Sequence, residues 1–379
     1  MIQMKDNSPI KFLDLKAINK AFEPELSDTL LQISRSGQYV NGEISTTFEK
    51  NFADYIGTNH CISLGNGTNA LELILQAYLI MGHLKEGDEI LVPANTFFAT
   101  FLAISNQGLK PVAVEPELYS FNISSRSLEQ KITRKSRALV LVHLFGRNAY
   151  SEEIRQLIDK HQLKLIEDNA QAVGCIFKGV KTGALGHVAA HSFYPTKNLG
   201  ALGDAGAVTT NEPELASIIR ALTNYGGKEK YKFEYIGTHS KMDEIQAGVL
   251  NVKLPHLDKS NRRRTEIADA YLKGIDPQHV TLPMKTGPNQ VLSHTWHLFT
   301  LLVEKREKLI QYLSQNGIET AIHYPIPPHL QPAYQKVNFG KLPLTEKIHR
   351  EIISIPLHPE LRDNEISTII DTINNWEGK

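Results

Sequence analysis

From residue 60 onward, short apolar runs alternate with amphipathic stretches. His60 to Leu64 reads as a strand, Thr68 to Met81 as a helix, Glu89 to Val92 as a strand, Thr96 to Asn106 as a helix and Pro111 to Val114 as a strand. The pattern continues through a strand at Ala138 to Leu144, a helix at Ser151 to His161, and strands at Lys164 to Glu167, Ala189 to Phe193 and Ala205 to Thr209. Such alternation predicts an α/β fold with a mostly parallel sheet covered by helices on both faces, and ligands outside the carboxyl ends of its strands. Ahead of this region, residues 1 to 11 are polar and expected to be loose. Helical spacing covers Glu23 to Ser36 and Thr46 to Ile56, and Gly37 and Gly57 stop the two runs.

Past Asn211 the pattern changes. Glu212 to Leu222 reads as a helix and Asn224 to Lys241 as a long polar loop, followed by helices at Met242 to Leu254 and Leu257 to Lys273. Strands near Trp296 to Val303, a helix at Lys305 to Asn316 and a proline-rich stretch from His323 to Pro332 complete the reading. The expected division is a large domain of residues 1–255, including the N-terminal segment 1–35, and a small C-terminal domain of residues 256–379.

Composition narrows the function classes. The 379 residues carry 41 basic and 41 acidic side chains, so no electrostatic footprint for nucleic acid or an anionic membrane is present. The single basic cluster, Arg262 to Arg264, reads as a solvated helix face. Cys61 and Cys175 both lie in apolar segments, which suggests reduced core thiols and a cytoplasmic location. Neither a signal sequence nor an apolar run of about 18 residues occurs, so secretion and membrane spanning are not expected. No metal-ligand spacing stands out.

The candidate chemistry gathers at strand ends. An apolar run, Val188 to Phe193, delivers Lys197 into a loop of small residues, Gly200, Ala201, Gly203, Ala205 and Gly206. Small residues let a flat ligand approach the backbone. A lysine there can form a Schiff base if its pKa is depressed; taken alone, a lysine on such a turn reads first as a solvated surface residue. Asp168 follows a buried strand and can either pair with a protonated ring nitrogen or cap a following helix. At about 3 Å and an effective dielectric near 20 the ring attraction is on the order of 5 kcal/mol before desolvation. Gln171 can donate to a phenolic oxygen on the same ring or complete a capping box. Gly65-Asn66-Gly67-Thr68 is a strand–turn–helix junction suited to phosphate, with Ser192 as a second hydroxyl. Phe97 can stack on a planar heterocycle, and Phe98 reads as core.

The order of these pieces, phosphate turn, aromatic, Asp with Gln three later, Ser, then Lys, resembles the DegT/DnrJ/EryC1/StrS family of sugar aminotransferases. The resemblance runs from FLDLK through GNGTNAL, PANTF, VHLFG, EDNAQAVG, SFYPTKNLGALGDAGAV, NYGG and DEIQA to HYPIPPHLQPAY. It implies the aspartate-aminotransferase, type I, fold with a seven-stranded sheet, the cofactor pyridoxal 5'-phosphate, and a homodimer with shared active sites. It makes Lys197 the Schiff-base lysine and proton shuttle, Asp168 the pyridinium partner and Gln171 the phenolate-oxygen donor. Gly67, Thr68 and Ser192 hold phosphate, and Phe97 stacks on the ring. Where relatives lend a Gly-x-Asn-x-Arg segment to the neighbouring subunit, this chain has Gly237-Thr238-His239-Ser240-Lys241, so His239 replaces the asparagine and Lys241 the arginine.

The same resemblance places Tyr194, His323 and Tyr324 in a sugar pocket, with Lys228 or Lys230 near a pyrophosphate. The implied reaction is amino transfer from glutamate to a dTDP-linked 3-keto-6-deoxyhexose. Amination at carbon four or of a cyclitol ketone, and a catalytically silent sugar-nucleotide sensor, stay open. A deoxygenating branch with histidine in place of the lysine is disfavoured by Lys197.

Overall fold

A computed structural model describes residues 9–285 and 292–378. Seven strands form the central sheet: β1 (His60–Leu64), β2 (Glu89–Pro93), β3 (Lys110–Val114), β4 (Ser136–Val142), β5 (Lys164–Asp168), β6 (Val188–Ser192) and β7 (Gly206–Thr210). Their spatial order is β1-β7-β6-β5-β4-β2-β3. Pairings from β3 through β6 are parallel, and β7 alone runs antiparallel, between β6 and β1. Leu139, Val140, Leu141, Leu165, Ile166, Ala189 and Ala190 are buried on both faces, which is why these strands read as continuous apolar runs.

Helices cover both faces. Gly67–Ile80 packs its Leu71, Ile74, Leu75 and Tyr78 into the main core, and Glu43–Ile56 puts Phe48 and Phe52 against Phe193. The stops at Gly37 and Gly57 adopt left-handed φ values of 74° and 89°, as the helix-stop reading expects. Past the 3-10 turn Leu254–His256, helix Leu257–Gly274 leads into a second apolar core. There Ile267 and Tyr271 meet Trp296, Phe299, Ile353 and Ile369 around the antiparallel strands β8 (Phe299–Leu302) and β9 (Ile352–Ile355).

Several expectations need correction. Residue 10 is not loose: the Ile10 N–H bonds the Gly317 carbonyl at 2.8 Å and the Glu319 N–H bonds the Ile10 carbonyl at 3.0 Å. The helix expected from Thr96 begins at Phe98, because Phe97 is its extended N-cap and Asn95 is held to the Phe121 carbonyl. The strand expected from Trp296 starts at Phe299, since Trp296 takes φ 48° and stacks on His294 at 3.7 Å. The polar loop 224–241 contains a small hairpin, Gly227–Glu229 with Lys232–Phe233. Among the described residues no helix is long and apolar enough to cross a membrane.

Candidate active site

The carboxyl ends of β4, β5 and β6 open onto a cavity of about 610 Å³. Gly67, Thr68, Phe97, Asp168, Gln171, Ser192, Tyr194, Lys197, His323 and Tyr324 all line it, so residues scattered over more than 250 positions converge on one volume. A buried parallel strand ends by releasing its chain to solvent, and Asp168 is the last residue of β5.

Asp168 is buried, yet no lysine or arginine among the described residues bonds to it. Its Oδ2 accepts the Thr100 hydroxyl at 3.0 Å and its Oδ1 the Ala170 N–H at 3.2 Å. Burial raises its pKa, opposed by those two donors and by the Lys197 charge. No helix follows Asp168, so the helix-cap reading of Asp168 and the capping-box reading of Gln171 fall away. Gln171 instead accepts the Phe145 N–H on Oε1 at 2.6 Å and donates from Nε2 to the Tyr324 hydroxyl at 2.9 Å. Tyr324 in turn meets the Phe97 ring at 5.1 Å between centroids.

Lys197 sits in a tight loop. Its N–H bonds the Tyr194 carbonyl, and Ala201 bonds back to Phe193, each at 2.8 Å. A side chain at Gly200 would run into the Pro195 carbonyl, so glycine is required for the loop to fold on itself. Burial pushes the Lys197 ammonium down to about 8, and the negative Asp168 acts in the opposite direction. An amine so placed is partly neutral near physiological pH, as a nucleophile or proton carrier must be.

At the other end of the cavity, Asn66 caps helix Gly67–Ile80 by accepting the Asn69 N–H. The N–H groups of Gly67 and Thr68 have no protein acceptor among the described residues and, with the helix dipole, suit a phosphate. A Cβ on Gly67 would lie 2.7 Å from Ser192 Cβ, and one on Gly206 would lie 2.6 Å from the Asn66 carbonyl carbon. Close backbone approach at this corner therefore depends on glycine.

Three expected residues stand elsewhere in this chain. Lys228 pairs with Glu234 at 2.8 Å and lines a different cavity with Arg220 and Lys241. Lys230 lies near the Tyr231 ring on the surface. His239 is exposed and stacks on Tyr225 at 5.1 Å. The sequence reading also missed Thr100 and His297. Thr100 lies one helical turn after Thr96, and the two hydroxyls are 3.1 Å apart, a spacing that hinted at a shared face. His297 lines the cavity and bonds Asn198 at 3.2 Å, and burial holds its pKa well below the ordinary value. The basic cluster was misread as well: Arg264 is buried, not solvated.

Residues 21–374 match the DegT/DnrJ/EryC1/StrS aminotransferase family. The chain belongs to that family. It is 43% identical over 367 residues to the dTDP-3-amino-3,6-dideoxy-alpha-D-galactopyranose transaminase of Aneurinibacillus thermoaerophilus, covering 97% of this chain and 99% of that protein. To the dTDP-3-amino-3,4,6-trideoxy-alpha-D-glucose transaminase of Streptomyces venezuelae it is 41% identical over 370 residues, covering 97% and 96%. The solved structure of S. venezuelae DesV in complex with a ketimine intermediate superposes with a TM-score of 0.92 at 40% identity, covering 97% of this chain and 98% of that one. This member of the DegT/DnrJ/EryC1/StrS family is a pyridoxal-phosphate-dependent aminotransferase of the type I fold, with a large sheet domain and a smaller C-terminal α/β domain.

The residues present fit that cofactor. A buried carboxylate without a bonded cation suits a protonated ring nitrogen, and a glycine-lined helix N-terminus suits the phosphate.

Proposed function

We propose that this enzyme transfers the amino group of glutamate to carbon three of a dTDP-linked 3-keto-6-deoxyhexose, giving the 3-amino-3,6-dideoxy sugar. The observation that carries the reading is the convergence of Lys197 and Asp168 on one cavity with a phosphate-competent helix N-terminus. The two transaminases at 43% and 41% identity both support a dTDP sugar aminated at carbon three, and the first supports the 3,6-dideoxy pattern.

Bound there, pyridoxal phosphate supplies an electron sink for the bond broken at the substrate carbon. The protein supplies position and protons. Asp168, whose ionised form Thr100 and Ala170 favour against the opposing effect of burial, would hold the ring nitrogen charged. Gly67, Thr68 and Ser192 would hold the phosphate, Phe97 would cover the ring, and Gln171, whose Nε2 donates to the Tyr324 hydroxyl, would offer its second Nε2 proton to the phenolic oxygen. Lys197 would hold the aldehyde end of the cofactor and, as a free amine once the donor has taken its place, would accept a proton from the donor carbon and return it, with the reverse duty for the ketosugar. Tyr194, His323 and Tyr324 border the space left for the sugar.

The shared site is proposed to need a second copy of the chain. Tyr225, Phe233 and Ile236 are exposed beside His239, and Ile236 is 91% exposed. A partner covering them would bring its His239 and Lys241 to the phosphate and its Lys228 or Lys230 to the pyrophosphate. Pro255, in the 3-10 turn, is taken as the boundary between domains 1–255 and 256–379. Free, buried Cys61 and Cys175 accord with a reducing, cytoplasmic setting.

Two measurements test the reading. The purified coloured enzyme should bleach on addition of glutamate, and three-keto rather than four-keto nucleotide sugars should accept the amino group, read by mass analysis and NMR. Lys197→Ala should abolish turnover, and undiminished transamination by that variant would refute the role. A silent sensor would not bleach.

A further inference from the structure

Two buried cations stand behind the Lys197 loop with no carboxylate partner among the described residues. Lys253 ends helix Glu244–Lys253 and donates Nζ to the Gly200 carbonyl and to Asn19 Oδ1, both at 2.7 Å, with the Phe22 ring centroid 5.6 Å away. Arg264, within helix Leu257–Gly274, uses Nη1 on the carbonyls of Leu357 at 2.9 Å and Trp296 at 3.4 Å, and its Nε–H has no acceptor. They are 6% and 3% exposed. Among the described residues no acidic side chain offsets either charge; burial lowers Lys253 to about 8 and Arg264 to about 10. Burying an unpaired charge is costly, and neighbouring carbonyl dipoles offset only part of the loss.

Both side chains line a cavity of about 420 Å³ that also takes in Thr196, Lys197 and Asn198. Its acidic lining is Glu266, engaged by Arg263 at 3.3 Å, and the exposed Glu360, while His256, Lys259 and Arg262 add positive or ionisable groups around the opening. A smaller cavity of about 370 Å³ shares Thr196 and Arg264 with it and extends to His297 and His323, which also border the cofactor cavity. Arg264 therefore stands where the space behind the lysine loop joins the space in front of it.

We propose that Arg264 and Lys253 form a seat for a small oxyanion, in the first instance the distal carboxylate of the amino donor. With Nη1 taken by carbonyls and Nε fully buried, Nη2 is the guanidinium nitrogen left to meet an oxyanion. Lys253 has one ammonium proton beyond its two bonds. The assignment of the donor rests on the transaminase reading: glutamate carries a second carboxylate, and the seat lies against the loop that its amine must approach. A free oxyanion such as phosphate shares the chemistry and is the other source.

Calorimetry on the cofactor-loaded enzyme, with glutarate, its uncharged diamide glutaramide and inorganic phosphate as probes, tests the seat. Glutarate should bind at least tenfold more tightly than glutaramide, and Arg264→Gln or Lys253→Gln should weaken glutarate at least tenfold. If the donor is the source, glutarate competes with glutamate in the bleaching reaction and Arg264→Gln raises KM for glutamate tenfold or more, with kcat changed far less. Tight phosphate binding that depends on Arg264 but does not compete with glutamate assigns the seat to a free anion. Equal binding of glutarate and glutaramide overturns the seat, as does undiminished glutarate binding by a folded Arg264→Gln variant. Should that variant fail to fold, Lys253→Gln and the probe pair on the unaltered enzyme decide. Arg264-dependent glutarate binding by an enzyme that aminates no ketosugar would sink the sugar reading and leave the seat standing.

Discussion

The Thr100 hydroxyl donates to Asp168 Oδ2 at 3.0 Å, joining helix Phe98–Asn106 to the end of β5. That bond, with the Ala170 N–H, works against the burial that would otherwise protonate the carboxyl. Hydrogen bonds to charged groups contribute about 1.5–3 kcal/mol. Thr100→Val should therefore weaken cofactor binding roughly tenfold to a hundredfold. Equilibrium dialysis of the cofactor against the variant checks this, and unchanged affinity would mean that Thr100 is a spectator.

Asp168→Asn removes the charge that holds a ring nitrogen protonated. Turnover should fall by at least about a hundredfold, the scale of losing roughly 3 kcal/mol of transition-state stabilisation. The thermal midpoint should hold or rise, because burial penalises this carboxylate. A variant with near-normal kcat would contradict the assignment.

Gly67→Ala places a Cβ 2.7 Å from Ser192 Cβ. Overpacking of this kind costs about 1–3 kcal/mol, and here it also widens the phosphate corner. Adding Ser192→Gly should recover stability but not cofactor affinity, since the relieved clash comes with a lost hydroxyl. Thermal melts and cofactor titrations on the single and double variants separate the two effects.

The neutral amine is the nucleophile, so a Lys197 pKa lowered from 10.5 to about 8 fixes the pH dependence of cofactor capture. Cofactor-free enzyme should capture pyridoxal phosphate about tenfold faster per pH unit below 8 and level off above it. Asp168 holds the Lys197 pKa up, so Asp168→Asn should move the midpoint lower. A midpoint that stays near 10.5, read from the rate of colour formation, would exclude a desolvated lysine.

Ile236 is 91% exposed in the single chain. If a second copy covers it, Ile236→Asp should shift the enzyme toward monomer in sedimentation and lower cofactor retention with it. A monomeric unaltered enzyme that binds cofactor fully would refute the shared site.

The elements most legible in the chain were those with two-sided burial. β1 through β7 lie within a few residues of their expected positions, because strands covered on both faces must be apolar throughout. The end of the chain was harder. Helix Pro343–Glu351, β9 and helix Asp363–Asn374 were not anticipated, for the apolar residues of the two helices are interrupted by charged ones and β9 is a four-residue strand that pairs with β8, about fifty residues away in sequence. Lys197, Asp168 and the Gly67 turn, which line one cavity, were readable as candidates because they lie beside local breaks in the pattern. Thr100 was not, since a threonine inside a helix gives no sign of which carboxylate it will meet.

Local order and composition alone determined the parallel α/β scaffold, the small-residue loop around Lys197 and the glycine turn at Gly67, since each depends on neighbours within a dozen residues. Only the tertiary structure decided that Arg264 is buried, that Gln171 bonds Tyr324, and that Lys228, Lys230 and His239 stand apart from the cavity of their own chain. Burial and pairing depend on what the rest of the chain brings within a few ångströms, and a run of three arginines is silent on that point.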